Sequence, residues 1–99
     1  MKPEQVFLAI ENVFPVTRDD IIGPRRRRNE GEGRHLFCWI LRRHTRMSLA
    51  QIGSYIGRDH TTIIYAVNRC QALYDTCRQF RLMADKVLDA LDLQHEQAA

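Results

Sequence analysis

Ser48-Leu49-Ala50-Gln51-Ile52-Gly53-Ser54-Tyr55-Ile56-Gly57-Arg58-Asp59-His60-Thr61-Thr62-Ile63 is the stretch on which the reading of this chain turns. Ser48 has the side chain of a helix N-cap, and Leu49, Ile52 and Tyr55 follow at the spacing of one helical face. Gly57 permits the left-handed turn that stops a helix. Asp59 at once offers a second N-cap, and Ile63, Val67, Cys70, Tyr74 and Cys77 recur behind it in steps of four and three. A helix of about eight residues, a turn containing glycine and a second helix opening on polar side chains is the layout of a helix-turn-helix. It is expected over residues 48–76.

The second helix would be the reading element. Asp59, His60, Thr61 and Thr62 precede its first core residues, Ile63 and Ile64, so they can point outward without disturbing packing. In a DNA major groove a carboxylate accepts from cytosine N4, an imidazole donates to purine N7 or carbonyl oxygens, and a threonine methyl meets the thymine methyl. The unpaired amides at the helix start favour a phosphate. The plainer alternative is that Asp59 only caps the helix and the side chains after it are solvated.

Outward from this motif, no segment alternates as a strand does. Residues 3–14 read as an amphipathic helix with Val6, Phe7, Ile10, Val13 and Phe14 on its apolar side, Pro3 in its first turn and Pro15 ending it. Thr17 with Asp20 forms a capping pair for a short turn through Ile22, closed by Gly23-Pro24. Residues 24–33 hold Arg25-Arg26-Arg27-Arg28 and then Asn29-Glu30-Gly31-Glu32-Gly33, and they read as an exposed basic loop. A helix from Arg34 to Arg46 comes next, apolar at Leu36, Phe37, Trp39, Ile40 and Leu41 and basic toward its end at Arg42, Arg43 and Arg46. Trp39 is its main core residue. Thr76 with Gln79 is expected to cap a last helix bearing Phe80, Met83, Val87 and Leu91, and residues 94–99 to form a frayed tail. The result is an all-α fold: one compact helical domain over residues 1–99, of about five or six helices.

A length of 99 residues supports one core, because two halves would each be too short to bury enough surface. The net charge of +3 hides a partition: residues 1–24 carry −2, residues 25–81 carry +8 and residues 82–99 carry −3. Thirteen of the fifteen bases are arginine, which suits bidentate contact with phosphate and guanine. A basic middle between acidic ends points to a polyanion. No apolar run approaches the length of a membrane span and no signal-peptide order opens the chain, so the expected location is cytoplasmic.

Cys38, Cys70 and Cys77 are odd in number and form no CxxC pair, which argues against a disulfide framework and a zinc finger. They read as reduced, small hydrophobes. His35 and Cys38 could be neighbours on a helix, but no third group orients them, so no catalytic residue is expected. His44, His60, Cys70 and Cys77 lack a ligand spacing, and neither metal nor cofactor is expected.

The segments Ser48-Leu49-Ala50-Gln51-Ile52-Gly53 and Gly57-Arg58-Asp59-His60-Thr61-Thr62-Ile63 closely resemble the signature of the DNA-binding C-terminal domain, domain IV, of the bacterial replication initiator DnaA. The resemblance runs from Val6 through the last helices. It implies a Trp-repressor-like helical fold that recognises DnaA boxes, short asymmetric A·T-rich duplex sites. The helix-turn-helix would enter the major groove and an arginine of the basic loop the minor groove. The resemblance makes Asp59, His60 and Thr61 the base-reading residues and Arg26 the minor-groove arginine. It places Arg42, Ser48, Leu49, Arg58 and Thr62 at or near the DNA backbone, and Arg25 and Arg28 of the basic run are expected as phosphate partners. A narrow A·T-rich minor groove has an enhanced negative potential that suits an arginine. The partner implied is double-stranded DNA, bound by a monomer associated with the nucleoid, without nucleotide, in the regulation of replication initiation or transcription.

The departures are specific. Only Gly57 precedes Arg58 where the family usually has two glycines, which shortens the turn and would tilt the reading helix. Gly31-Glu32-Gly33-Arg34 stands in place of Ala-Arg-Pro-Arg, and Tyr65 in place of a common His. The initiator's nucleotide-binding motor has no G-x-x-x-x-G-K-[ST] counterpart; Gly53-Ser54-Tyr55-Ile56-Gly57-Arg58 comes nearest and lacks the Lys. Origin melting is therefore not expected of this chain alone, whether it is a free-standing protein or a domain of a longer one. Two other readings stay open: a basic module without sequence preference, and a protein-interaction domain using the acidic last helix with Asp85, Asp89 and Asp92.

Overall fold

Pro3 sits in the first turn of α1 (Pro3–Val13), where its missing N–H costs nothing. Pro15 forces the residue before it out of the helical region, and Phe14 has extended backbone at φ −95° and ψ 147°. The computed structural model describes residues 1–24 and 27–95. Within them lie five further helices: α2 (Arg18–Ile22), α3 (Arg28–His44), α4 (Leu49–Ile56), α5 (His60–Thr76) and α6 (Arg78–Ala90). The described residues form no strand, and none of their helices is long and apolar enough to cross a membrane. The capping pair of α2 is reciprocal: Thr17 Oγ1 accepts from the Asp20 N–H at 3.2 Å and Asp20 Oδ2 from the Thr17 N–H at 2.9 Å.

The segment expected to be a basic loop over 24–33 is helical from Arg28 onward. Gly31 and Gly33 each cost a helix interior about 1 kcal/mol, which is why the sequence reads as a loop. Packing offsets part of this at Gly33, where an added Cβ would lie 3.3 Å from Val16 Cγ2 and 3.4 Å from Ile21 Cγ1. Glycine there lets α3 press onto α2, so it acts as a contact surface and not as a breaker. Arg28 and Glu32 pair at 3.1 Å across the first turns. At the other end α3 stops at His44, and Arg46 lies beyond it. Thr45 takes the C-cap position, its hydroxyl donating to the Leu41 carbonyl.

Helix α3 is the centre of the domain, packed against α1, α2, α4 and α5. Its six consecutive residues Leu36 to Leu41 are fully buried, as expected of a helix surrounded on all sides. Phe37 stacks on Phe7 of α1 with ring centroids 4.2 Å apart, and Trp39 lies 5.2 Å from Tyr74 of α5. The Trp39 indole N–H donates to Gln71 Oε1 at 2.9 Å, so the largest core residue has its one donor satisfied. Cys38 and Cys70 are buried free thiols and Cys77 is half-buried.

One expectation near the C-terminus is corrected. Thr76 is the last residue of α5, its hydroxyl donating back to the Ala72 carbonyl at 2.6 Å, and the N-cap of α6 is Cys77. Of residues 94–99, expected to form a frayed tail, His95 has its Nε2 2.7 Å from Asp89 Oδ1 and its Nδ1 3.5 Å from Asp85 Oδ2. Residues 96–99 lie outside the described residues.

Candidate nucleic-acid interface

Three local devices build the helix-turn-helix. Ser48 Oγ accepts from the Gln51 N–H at 3.1 Å while Gln51 Oε1 accepts from the Ser48 N–H at 2.8 Å, closing the start of α4. Gly57 ends α4 at φ 65° and ψ 37°, a left-handed conformation that favours glycine. The turn then folds back so closely that a Cβ on Gly53 would meet the Arg58 carbonyl oxygen at 2.2 Å, and the Arg58 N–H donates to the Gly53 carbonyl at 3.0 Å. Gly53 is thus as necessary to the turn as Gly57. Its signal in the sequence is the pair of glycines one helical turn apart.

Asp59 Oδ1 accepts from the Thr62 N–H at 3.0 Å and opens α5. Asp59, His60, Thr61 and Thr62 are all exposed, whereas Ile63 is fully buried. Hydrogen bonds from the Thr62 backbone and then its hydroxyl hold the Asp59 carboxyl below its ordinary range. Capping and presentation therefore coexist: the aspartate is engaged on its helix side and open on the other. Ile64, expected to be a core residue, is 43% exposed and stands off the buried stripe of Ile63, Ala66, Cys70 and Tyr74. Tyr65 is 62% exposed and makes a T-shaped ring contact with His35 at 5.9 Å, extending the open face of α5 by a turn.

The arginines divide. Arg42 is exposed and its Nη1 lies 3.4 Å from the Met47 carbonyl, beside the exposed Ser48 and the half-buried Leu49 at the start of α4. Arg28 is exposed and paired with Glu32. Arg25 and Arg26 lie outside the described residues. Arg58, expected beside the DNA backbone, has both terminal nitrogens on protein carbonyls: Nη1 donates to Ile22 at 2.9 Å and Ile56 at 2.6 Å, Nη2 to Gly23 at 2.7 Å. Nothing in the sequence singles out Arg34, yet it is buried and donates to the Ile21 carbonyl at 2.8 Å and the Gly23 carbonyl at 2.8 Å. Between these two arginines and α5 opens a cleft of about 570 Å³ lined by Pro24, His35, Thr62 and Tyr65.

This arrangement has relatives. The family described as bacterial DnaA protein helix-turn-helix matches residues 3–70. The chain belongs to that family. A chromosomal replication initiator protein DnaA from Synechococcus sp. is 32% identical over 79 residues, covering 79% of this chain and 17% of the relative. Its counterpart from Nostoc punctiforme is 30% identical over 92 residues, 92% of this chain and 20% of the relative. That of Bifidobacterium animalis subsp. lactis is 35% identical over 80 residues, 80% and 13%. The chain thus spans a fifth or less of the length of these DnaA relatives.

Within this DnaA-family chain, the His35 and Cys38 pair has the opposite of a nucleophile's electrostatics. Burial pushes the Cys38 thiol up to about 12, and burial followed by the charges of Arg34 and Arg69 lowers His35 to about 4. Burial likewise raises the Cys70 thiol. Both thiols sit between α3 and α5 as packing groups.

Proposed function

We propose that this DnaA-family chain binds double-stranded DNA at DnaA-box-like, A·T-rich sites and acts there by occupancy in replication initiation or transcription. The observation that carries the reading is the start of α5, where Asp59, His60, Thr61 and Thr62 are exposed on a helix anchored from Ile63 onward in the core. In this reading α5 lies in the major groove, with Asp59, His60 and Thr61 facing base edges and Thr62 near the backbone. Arg26 enters the minor groove, and Arg25, Arg28, Arg42, Ser48 and Leu49 face phosphates or flank them. Arg58 lies beside the backbone by position, with its guanidinium turned inward.

The test is a titration of the chain onto a fluorescent duplex carrying a DnaA box and onto a scrambled duplex, at several salt concentrations. Tighter binding to the box at every salt supports the reading. Equal affinities with a steep salt dependence would mean backbone contact without base reading, because counterion release carries no sequence information. Binding to neither duplex would leave a protein-interaction domain.

A further inference from the structure

Helix α2 is five residues long and ends half-buried at Ile22 and Gly23, leaving carbonyl oxygens without helical partners. Two guanidinium groups from separate parts of the chain meet them. Arg34, from α3, donates through Nε to Ile21 at 2.8 Å and through Nη2 to Gly23 at 2.8 Å and Asp20 at 3.3 Å. Arg58, from the turn before α5, donates through Nη1 to Ile22 at 2.9 Å and through Nη2 to Gly23 at 2.7 Å. Each of the carbonyls from Asp20 to Gly23 therefore receives an arginine, and Gly23 receives both. Positive charge at this end also complements the helix dipole. Arg58 Nη1 additionally holds the Ile56 carbonyl at the end of α4, so one side chain joins α4 and the turn before α5 to α2.

Immediately after α2 and its closing Gly23, the chain runs through Pro24 into the arginines at 25–28. We infer that Arg34 and Arg58 are positioning residues that fix the end of α2, from which the chain continues to Arg26, relative to α5, so that minor-groove and major-groove contacts fall on one site in register. The inference rests on the proposed DNA-binding function, in which Arg26 and the start of α5 both meet DNA. It takes Arg58 out of the set of phosphate ligands and gives Arg34 a part in recognition without touching DNA. Neither substitution for lysine is conservative here, because an ammonium cannot span several carbonyls as a planar fork does.

The experiment is a coupling measurement on the full chain with the fluorescent DnaA-box duplex. In the parent protein Arg26→Ala should weaken binding about tenfold. In an Arg58→Met background, checked for retained helical circular dichroism, the further loss on Arg26→Ala should fall below about twofold, because the end of α2 that precedes Arg26 is no longer held in place. His60→Ala should cost the same factor in both backgrounds, which separates a displaced end of α2 from a generally damaged domain. Arg58→Lys should restore part of the Arg26 effect, and it replaces Arg58→Met should that variant fail to fold. An Arg26→Ala loss of equal size in both backgrounds would overturn the inference, and a salt slope lowered by about one in Arg58→Met with the Arg26 effect intact would make Arg58 a phosphate ligand instead. Were Arg26→Ala without effect in the parent, Arg26 would not touch DNA and the inference would fall with that part of the proposed function. His60→Ala would still score α5 separately.

Discussion

Arg34 and Arg42 stand about two turns apart on α3 and face opposite fates. Arg34 is 8% exposed and holds the carbonyls at the end of α2, whereas Arg42 is exposed with one long contact to the Met47 carbonyl at 3.4 Å. The difference teaches that a run of basic residues has more than one kind of destination. A helix C-terminus inside the protein presents the same partial negative charge and acceptor geometry that a phosphate presents outside. The largest expected effect tests this contrast: Arg34→Met should lower unfolding stability by about 3 kcal/mol, since it strands the buried Ile21 carbonyl, weakens the hold on the part-buried Asp20 and Gly23 carbonyls and removes a charged donor. Arg42→Ala should stay within about 0.5 kcal/mol. Urea unfolding of the two variants measures both, and similar midpoints would break the comparison.

How far each fate is legible in the sequence differs in the same way. The helix-turn-helix is legible because its determinants are local: Ser48 and Asp59 cap, Gly57 turns, and Ile63, Cys70 and Tyr74 repeat on one face. The start of α3 is not, because Gly31 and Gly33 have poor helix propensity and only the approach of Val16 and Ile21 makes Gly33 the fitting residue. Arg34 and the inward turn of Arg58 are hidden for the same reason, since their partners across the fold are 11 to 36 residues away in sequence. Ile64 reads as core because it is apolar, although its position is off the buried stripe. Short-range chemistry is written in the sequence; contacts between α2, α3 and the turn are written only in the fold.

Outward residues of α5 sharpen the contrast from the other side. His60→Ala should leave unfolding stability within about 0.5 kcal/mol, because the imidazole is exposed and lies outside the core. Its affinity for the box duplex should fall by about 1–3 kcal/mol, and the ratio between box and scrambled duplexes should shrink. A loss of equal size on both duplexes would turn His60 from a reader into a backbone contact.

His35 sits where the inward and outward sets meet, between Arg34, Arg69 and the ring of Tyr65. Burial, aided by those two charges, lowers its pKa from 6.5 to about 4, so the folded protein keeps the ring neutral where the unfolded chain protonates it. Stability linked to His35 is full above the unfolded value of 6.5 and declines as pH falls from there toward about 4. Because the ring is partly solvated, the decline should amount to about 1–2 kcal/mol. Urea midpoints from pH 7 to pH 4.5 should show it in the parent and show a flatter profile in His35→Gln. Identical profiles would remove the role assigned to His35.

The smallest effect concerns Arg42 itself. If it faces a phosphate, Arg42→Ala should weaken the box and scrambled duplexes alike, by less than about 1 kcal/mol, and reduce the slope of log affinity against log salt by about one. Arg42→Lys should recover the slope, because a phosphate requires a nearby charge more than a fork, in contrast to the several carbonyls shared by Arg34 and Arg58. Recovery by lysine at Arg42 but not at Arg34 would distinguish the two arginines by geometry as well as by exposure. A selective loss on the box duplex would instead place Arg42 among the base readers, and exposure alone would no longer separate positioning from recognition on α3.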